Sequence, residues 1–497
     1  MKNRSKIIAL LLVLVALVVA YFLLKGGTKA TPGTDAQPSP TDTQTSPTPD
    51  VALDVISPIG LAKADINKIL LKRDTGDIIL TLKETEVESQ VAKEDGTTTT
   101  TKQMVNLWVT DQFSVDSAAV DNIAFAAENA TTSRFIEADP KDLSIYGLDK
   151  PSTVTFYSAD GQEKSIEIGS ATPTGNDYYI RVGGDKAVYT LLTYYANTFL
   201  LGKYDIMSRQ LYPKEGMVGD NITDLTFYKG KDIVFESHLV TAPAKWGLIY
   251  PLVIEADYTD LAKFLEGLAG LYAFQIIEQN PSDLKVYGLD KPQYTFLYTL
   301  DGKRYALKIG SMSGTLYYAM FEGNDIVFSV DSTILSFVGM PLIDVVDLLI
   351  YVPSIFDVSK LVIEIDGRVD VLNMDVTKEL SETDVYEFNG KKIEGEENRK
   401  LYRRYYQGAI ALMGDKIDVD AKPEGEAFAR LTYTAKTGFV NERTTVIEFI
   451  PTPDDYGYYV MKNDVYTGMI MGKRQLDTES MGFRQSYKNL MNALNAK

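Results

Sequence analysis

Apolar and polar residues alternate along most of this chain in short runs, and the runs come in pairs separated by a glycine-containing turn. Three of these pairs turn at residues 74–77, 229–231 and 366–368. A period of two on either side of a short turn predicts an antiparallel β-hairpin. Three hairpins of one kind therefore suggest three structural units in tandem.

A helical period follows each of these hairpins. In the second unit, apolar residues recur at helical spacing after Thr259 and Asp260, which we expect to cap the first turn. Related patterns cover residues 116–130 and 398–413. The residues predicted to face the core are Leu261, Phe264, Leu265, Leu268 and Leu271 in the second unit, Val120, Ile123 and Ala127 in the first, and Tyr402, Tyr405, Ala409 and Met413 in the third.

The clearest repeat is a loop that occurs twice. Residues 136–151 read IEADPKDLSIYGLDKP and residues 277–292 read IEQNPSDLKVYGLDKP, with eleven identities in sixteen positions at an offset of 141. A fixed period is the sequence mark of a tandem array. The third unit lacks this signature, but Tyr386 stands 140 residues after Trp246, which stands 138 residues after Trp108. We expect these aromatic residues to lie in the core; the functional alternative is a stacking platform for a sugar or peptide.

A second hairpin follows the signature loop and turns at residues 160–161 in the first unit and 301–302 in the second. Both turns read Asp-Gly, which is typical of type I′ geometry with positive φ at both central residues. A final strand in each unit carries two adjacent tyrosines, at residues 178–179, 317–318 and 458–459.

The predicted fold class is α+β. It consists of three tandem units of about 140 residues, each made of antiparallel β-hairpins packed with a helix, after one N-terminal transmembrane helix. The units are assigned to residues 54–213, 214–353 and 354–497.

The N-terminal segment predicts a membrane anchor. Lys2, Arg4 and Lys6 precede an uninterrupted apolar run, residues 7–24, which is long enough to cross a bilayer as a helix. A cleaved signal peptide is the alternative, but the run exceeds the usual apolar core of about 7–15 residues and lacks a clear cleavage site. The basic residues keep residues 1–6 in the cytoplasm. Residues 25–53, rich in Thr, Ser and Pro, are expected to form a disordered tether to an extracytoplasmic body.

Composition excludes several kinds of chemistry. The chain has 68 acidic and 50 basic side chains and a net charge of −18, which argues against a nucleic-acid partner. It contains no Cys, so disulfides, thiol catalysis and iron–sulfur clusters are excluded. Its one histidine, His238, is expected on the surface or on an edge strand, and a lone His does not make the usual transition-metal site.

The signature loop is the candidate site. Two aspartates and one lysine of the first loop recur in the second, so an acid and base pair is one interpretation. A structural corner is the stronger interpretation, because Gly147 and Gly288 suit positive φ and Asp142 and Asp283 suit helix caps. The residues assigned to a structural corner or partner-binding site are Tyr146, Gly147, Asp149, Lys150, Tyr287, Gly288, Asp290 and Lys291. No catalytic, cofactor-binding or metal-binding residue is assigned, and no G-x-S-x-G elbow or phosphate-binding loop is present.

These motifs together resemble a known family. A basic single-span N-terminus, the D-L-x-x-Y-G-L-D-K-P loop, a D-G hairpin that ends in I-x-I-G or L-x-I-G, and a Y-Y strand are similar to bacterial envelope proteins known as domain of unknown function 4340. The resemblance is strong over residues 142–191 and 283–330 and weaker in the third unit. It implies a membrane-anchored extracytoplasmic protein, often encoded beside transporters of the ATP-binding-cassette type, and it supplies no catalytic residues.

The sequence therefore predicts a non-enzymatic envelope protein without cofactors. Its expected partners are the membrane, through the N-terminal helix, and the permease of an ATP-binding-cassette transporter. A module that binds cell-wall glycan or peptide through exposed tyrosines is the alternative, since the chain has 31 tyrosines. An uncharacterised hydrolase is the third hypothesis.

Overall fold

The computed structural model describes residues 55–92, 98–213, 216–241, 245–436, 444–477 and 482–495. These residues belong to one compact unit, Asp54–Lys497. They form mostly β-sheet with a few helices, and three antiparallel sheets follow one another along this part of the chain. The α+β class with antiparallel sheets is confirmed at this level.

Sheet 1 has eight strands in the order β3-β2-β1-β5-β6-β7-β8-β4. The first hairpin supplies β1 and β2, and β4 crosses to the far edge to pair with β8. The strands are β1 (Ile66–Lys72), β2 (Ile78–Ala92), β3 (Thr98–Val109), β4 (Thr132–Glu137), β5 (Ser152–Ser158), β6 (Glu163–Ala171), β7 (Asp177–Val182) and β8 (Val188–Leu192).

Sheet 2 repeats this order in nine strands, β12-β11-β10-β9-β14-β15-β16-β17-β13, with one short strand added at the edge. The strands are β9 (Ile222–Lys229), β10 (Asp232–Thr241), β11 (Lys245–Tyr250), β12 (Ile254–Glu255), β13 (Gln275–Gln279), β14 (Tyr294–Leu300), β15 (Lys303–Ser313), β16 (Leu316–Phe321) and β17 (Ile326–Asp331).

Sheet 3 has the same order again, β21-β20-β19-β18-β23-β24-β25-β26-β22, although its sequence has lost the signature loop. Topology is thus repeated where sequence is not. The strands are β18 (Val358–Ile365), β19 (Arg368–Asp375), β20 (Val385–Phe388), β21 (Lys391–Lys392), β22 (Lys416–Ile417), β23 (Ala429–Ala435), β24 (Thr444–Pro451), β25 (Gly457–Lys462) and β26 (Val465–Gly472).

One longer helix covers a face of each sheet and leads the chain from one edge to the other. These helices are α1 (Ser117–Asn129), α4 (Tyr258–Ala269) and α5 (Glu396–Ile410); shorter or terminal helices are α2 (Thr193–Phe199), α3 (Lys203–Ile206) and α6 (Phe483–Asn495). The helix predicted over residues 116–130 is confirmed, and Asp116 caps it by accepting from the amides of Ala118 and Ala119.

Two hydrophobic cores lie under these helices in the described residues. One belongs to sheet 1, and the other runs without interruption through sheets 2 and 3. Trp108, Trp246 and Tyr386 occupy equivalent strands and are each at most 2% exposed. They are core residues, as expected, and not stacking platforms.

Three details of the sequence analysis are wrong. The cap of α4 is Asp257, which accepts from the amides of Thr259 and Asp260, because the helix begins one turn earlier than the apolar pattern. Helix α5 ends at Ile410, so Met413 lies beyond it and is exposed. The turn at residues 160–161 is not type I′: among its residues only Gly161 has positive φ, since a four-residue loop joins β5 to β6.

The predicted anchor, residues 7–24, and the predicted tether, residues 25–53, lie outside the described residues. Within the described residues, no helix is long and apolar enough to span a membrane. The unit boundaries near residues 213 and 353 stay a prediction.

Candidate functional site

Both signature loops form the same tight corner between the crossing strand and the second hairpin. Asp142 and Asp283 accept from the amides of Ser144 and Lys285, at 2.9 Å in each case, and so begin a short 3₁₀ turn. Gly147 and Gly288 end the turn with φ of 67° and 68°. This is the left-handed region that only glycine enters without cost, so the positive φ expected at both positions is present.

A second glycine in each unit lets the corner approach the sheet. Gly169 in β6 and Gly310 in β15 are the last residues of the I-x-I-G and L-x-I-G patterns. A side chain on either would overlap a backbone carbonyl oxygen of the corner, at Tyr146 or Tyr287. Leu148 then inserts beneath the first corner with 2% exposure. Sheet 3 has Ile450 at the position of these glycines, which explains why it carries no such corner.

The tyrosine of each corner contacts the neighbouring strands of its sheet. Tyr146 donates to Glu137 at 2.8 Å, and Tyr287 donates to Glu278 at 2.5 Å. Each ring also lies edge-on to the second tyrosine of the adjacent Y-Y strand, with centroids 5.0 and 5.1 Å apart. The hydrogen bond to Glu278 raises the pKa of Tyr287 to about 12. These tyrosines therefore hold the corner to the sheet.

The other corner residues point outward and support nothing in the fold. Asp149, Lys150, Asp290 and Lys291 are exposed and make no ion pair or side-chain hydrogen bond with the described residues. Beside them, a β-branched aliphatic side chain is largely exposed in each corner, at 63% for Ile145 and 69% for Val286. Each corner thus has two halves. The inner half, residues 146–148 and 287–289, packs against the sheet, and the outer half, Ile145, Asp149 and Lys150 or Val286, Asp290 and Lys291, is exposed.

The sheets are joined by two linkers of the same design. The first junction is formed by residues 206–213 between sheets 1 and 2, and the second junction by residues 345–353 between sheets 2 and 3. Each linker pairs first with the residue just before the first-turn cap of one helix and then with the segment after the following helix. These backbone bridges are Val115 to Met207 and Gln210 to Tyr272 at the first junction, and Ala256 to Val346 and Leu349 to Met413 at the second.

Aromatic rings fill the first junction. Tyr212 lies edge-on to Tyr305 at 5.2 Å and contacts Phe321 at 5.9 Å between centroids. Its hydroxyl contacts that of Tyr298 at 2.6 Å and donates to the carbonyl of Leu268 at the end of α4. Burial raises the pKa of Tyr212 and of Tyr298 well above the ordinary value. A smaller hollow of about 460 Å³ remains beside these rings, and its rim is mostly charged and polar.

The second junction has lost two of these rings. Tyr351 and Tyr433 keep the places of Tyr212 and Tyr298, with centroids 5.0 Å apart. By strand register, however, Thr445 replaces Tyr305 and Lys462 replaces Phe321. Two large aromatic side chains are thereby exchanged for a small hydroxyl and a flexible ammonium. A larger space, lined by Lys462 but not by the buried Thr445, lies at the second junction.

This space is the groove of the second junction, a cavity of about 690 Å³ between β10–β12, the second linker and β25–β26. Its lining is mainly aliphatic. Several of these side chains reach solvent, with exposures between 42% and 88%, namely Val240, Ile249, Val253, Leu349 and Val352. The volume lies within the range of about 300–1,000 Å³ that is usual for small-ligand sites.

Charged and polar side chains also line the groove, among them Asp347, whose carboxylate accepts from the amide of Leu349 at 2.9 Å. Lys245 and Glu255 form an ion pair at 3.4 Å near one end. Lys462 is half-buried over the ring of Tyr351, 5.0 Å from its centroid, and has no carboxylate partner among the described residues. His238 also lines the groove, and its ring makes no hydrogen bond with the described part of the chain. It lies in β10, inside β11 and β12, and is partly exposed, so of its two expected positions, the surface or an edge strand, the edge strand is wrong.

A leucine of the second unit packs against the third unit beside the groove. Leu252, in the turn between β11 and β12, packs into the space above Gly468 of β26. Any Cβ at Gly468 would overlap Leu252, and the glycine also has φ of 79°. The position of the groove wall relative to sheet 3 is thereby fixed.

Sequence reasoning missed the groove. A signal was present, because the apolar stretch GLIYPLVI at residues 247–254 replaces the polar VTDQFSVD at residues 109–116 of the first unit. The aliphatic positions look like core in sequence, and only the tertiary structure shows that several of them line an open groove. Within residues 55–92, 98–213, 216–241, 245–436, 444–477 and 482–495, no group of three or more His, Asp or Glu side chains could hold a metal ion.

One known family matches this chain, and its description is Domain of unknown function (DUF4340). The matches cover residues 108–240 and 246–403, which together are more than half of the chain. They begin at the two tryptophans, and each includes one of the two linkers. No curated protein and no solved structure is significantly similar to the chain. The protein therefore belongs to the family described as Domain of unknown function (DUF4340).

Proposed function

We propose that this protein is a non-enzymatic binding component of the bacterial cell envelope. Residues 7–24 anchor it in the membrane, residues 25–53 form the tether, and three tandem units of about 140 residues stand outside the cytoplasm. Its partner is the permease of an ATP-binding-cassette transporter. This function needs no catalytic group or cofactor.

The observation that carries the proposal is the outer half of the two signature corners. Asp149 and Lys150 recur as Asp290 and Lys291, although their side chains make no contact that the fold uses. Ile145 and Val286 add an exposed aliphatic side chain at the same place in each corner. Residues that are kept in both copies without supporting the fold favour a role in contact with a partner.

The chemistry of this surface suits a protein partner. An aliphatic side chain beside one carboxylate and one ammonium gives a small apolar centre with a charged rim, which is the usual composition of a protein interface. Two copies of a weak contact act together when both reach one partner. The rigid glycine turns hold each outer half in a fixed orientation, so little conformational entropy is lost on binding.

Co-purification from detergent-solubilised membranes tests this function. The tagged full chain should bring down a transporter permease. Replacing the outer halves together, with Ile145→Ser, Lys150→Ala, Val286→Ser and Lys291→Ala, should reduce the recovered permease at least tenfold. Lys422→Ala, at an exposed lysine elsewhere in the third unit, is the matched control and should recover as much as the parent.

Other outcomes decide against parts of the proposal. Recovery of cell-wall polymer in place of a permease would support the alternative, a glycan- or peptide-binding module. Permease recovery that is unchanged by the four substitutions would remove the corners from the interface. Protease added to intact protoplasts should degrade the body of the chain; protection of that body would contradict the orientation.

A further inference from the structure

We propose that the groove of the second junction binds a single-chain aliphatic carboxylate, a ligand of the fatty-acid class. The inference goes beyond the transporter contact, which lies at the corners, and depends on the proposed function only for the membrane location that would supply such a ligand. It rests on the shape, lining and charge of the groove.

The lining selects an alkyl chain. The exposed aliphatic side chains of the groove are branched and come from both of its walls. They are Val240 and Ile249 in strands of sheet 2, Val253 in the turn between β11 and β12, and Leu349 and Val352 on the linker. Sugars are usually held by aromatic faces and by many hydrogen-bonding groups, and this lining offers few of either. Val253 alone is 88% exposed, so an alkyl chain that covered it would remove apolar surface from water, which favours binding.

The charge selects a carboxylate head group. Two of the groove's four charged side chains, Lys245 and Glu255, pair with each other. The carboxylate of Asp347 accepts from the amide of Leu349, and the half-buried Lys462 has no carboxylate partner among the described residues. A half-buried ammonium gains from an anion more than an exposed one does, because water screens it less. One ammonium matches one negative charge; phosphate groups are more often held by arginine clusters or several backbone amides.

The comparison of the junctions is an independent argument. Phe321, at the position of Lys462, fills the first junction with an aromatic ring that is 6% exposed. A lysine at this position packs less well and leaves two wall strands lined with exposed apolar groups. The same position thus carries a buried ring beside the smaller hollow of the first junction and a cation in the larger groove of the second.

Photo-crosslinking of the full chain in membranes tests the inference. The probe is hexadecanoic acid with a diazirine near its methyl end, and the adducts are mapped by mass spectrometry after irradiation. Adducts should concentrate on peptides that contain residues 245–255 and 347–353. Unlabelled hexadecanoate should compete for them, whereas hexadecanol, which lacks the charge, and hexadecyl phosphate should compete at least fivefold less well.

Two variants locate the site. Lys462→Met should reduce the groove adducts at least fivefold, and Lys422→Met should leave them unchanged. Val253→Asp is the second variant, because its side chain is almost fully exposed and cannot affect folding through packing; it should also reduce the adducts. Labelling of residues 7–24 serves as the internal reference in every sample.

Three outcomes would overturn the proposal: adducts spread over the exposed apolar residues of all three sheets, equal labelling of the parent and Lys462→Met chains, or competition by hexadecanol as strong as by hexadecanoate. Each is distinct from a failure of the proposed function. A chain that binds no permease can still label at the groove, and a chain that binds a permease can fail to label.

Discussion

The first and second junctions share one backbone design and differ in what fills it. Both linkers make the same two bridges, and both place a tyrosine against a strand tyrosine of the following sheet. Tyr305 and Phe321 pack against the linker tyrosine of the first junction, whereas at the equivalent positions of the second junction Thr445 is small and buried and Lys462 lines the groove. The backbone design is thus shared, and the larger groove lies where a lysine replaces a ring.

The energetic consequence is that the junctions should differ in stability. At the first junction, burial of aromatic rings against each other contributes both hydrophobic transfer and dispersion. At the second junction, the same tyrosine is only half-buried, so less of its surface is removed from water.

Truncation of the linker tyrosines should have unequal effects. Tyr212→Ala removes a ring that is 6% exposed and leaves the hydroxyl of Tyr298 without its partner, so we expect a loss of about 3–5 kcal/mol in the free energy of unfolding. Tyr351→Ala should cost about 1–2 kcal/mol, because its ring is partly exposed. Urea denaturation of both variants measures the two losses. Equal losses would contradict the difference between the junctions.

Exchanging the residues at the equivalent positions 321 and 462 should also change stability by unequal amounts at the two junctions. Phe321→Lys replaces a buried ring with a charged side chain and should cost about 2–4 kcal/mol, part of which the lysine stem recovers by packing. Lys462→Phe gives the second junction the side chain of the first and should change stability by less than about 1 kcal/mol. Thermal melts of the two variants check this prediction. A severe loss in Lys462→Phe would mean that the lysine supports the fold.

The corners provide a reference in which the first two units should behave alike. Gly147→Val and Gly288→Val force a β-branched residue to positive φ and bring its Cβ within 2.7 and 2.8 Å of the amide nitrogens of Ser170 and Ser311. We expect losses of about 1–3 kcal/mol in both variants. Lys150→Ala and Lys291→Ala should stay within about 0.5 kcal/mol of the parent. If the two glycine variants melt at the same temperature as the parent, the interpretation of the inner half as a structural corner is wrong.

The smallest effect is expected from pH. The pKa of Tyr287 is raised from its ordinary value near 10 to about 12 in the folded chain, chiefly by the hydrogen bond to Glu278. The unfolded chain therefore loses this proton first as pH rises. The stabilisation is fully present below pH 10 and is lost as pH rises towards about 12. Tyr287→Phe should lose less stability than the parent between pH 9 and pH 11.5 in urea denaturation; an identical loss would contradict the assignment.

Much of the fold could be predicted from the sequence. Strand periodicity and glycine turns located the hairpins, and helical spacing located α1, α4 and α5, because short-range patterns determine these elements. The cap of α4 was misplaced, since Asp257 precedes the apolar period that was used to find the helix. The edge position of His238 was also wrong, because strand order depends on pairings between β10, β11 and β12 that no local pattern encodes.

The candidate site was predictable only in part. The repeated loop identified the corner residues, and their exposure separates Gly147 and Tyr146, which pack, from Lys150, which does not. The groove could not be found in the same way. It depends on Lys462 meeting a linker about 100 residues earlier in the chain, and such contacts are set by tertiary structure.

Thiol labelling at the two linkers tests most directly whether the second junction binds a ligand that the first does not. The chain has no cysteine, so Leu349→Cys and its equivalent Gln210→Cys each introduce one reactive group into the full chain in membranes. Maleimide labelling is measured with and without excess hexadecanoate. We predict that hexadecanoate slows labelling of the Leu349→Cys chain at least fivefold and leaves the Gln210→Cys chain unchanged. Equal protection at both positions, or none at Leu349→Cys, would contradict the account.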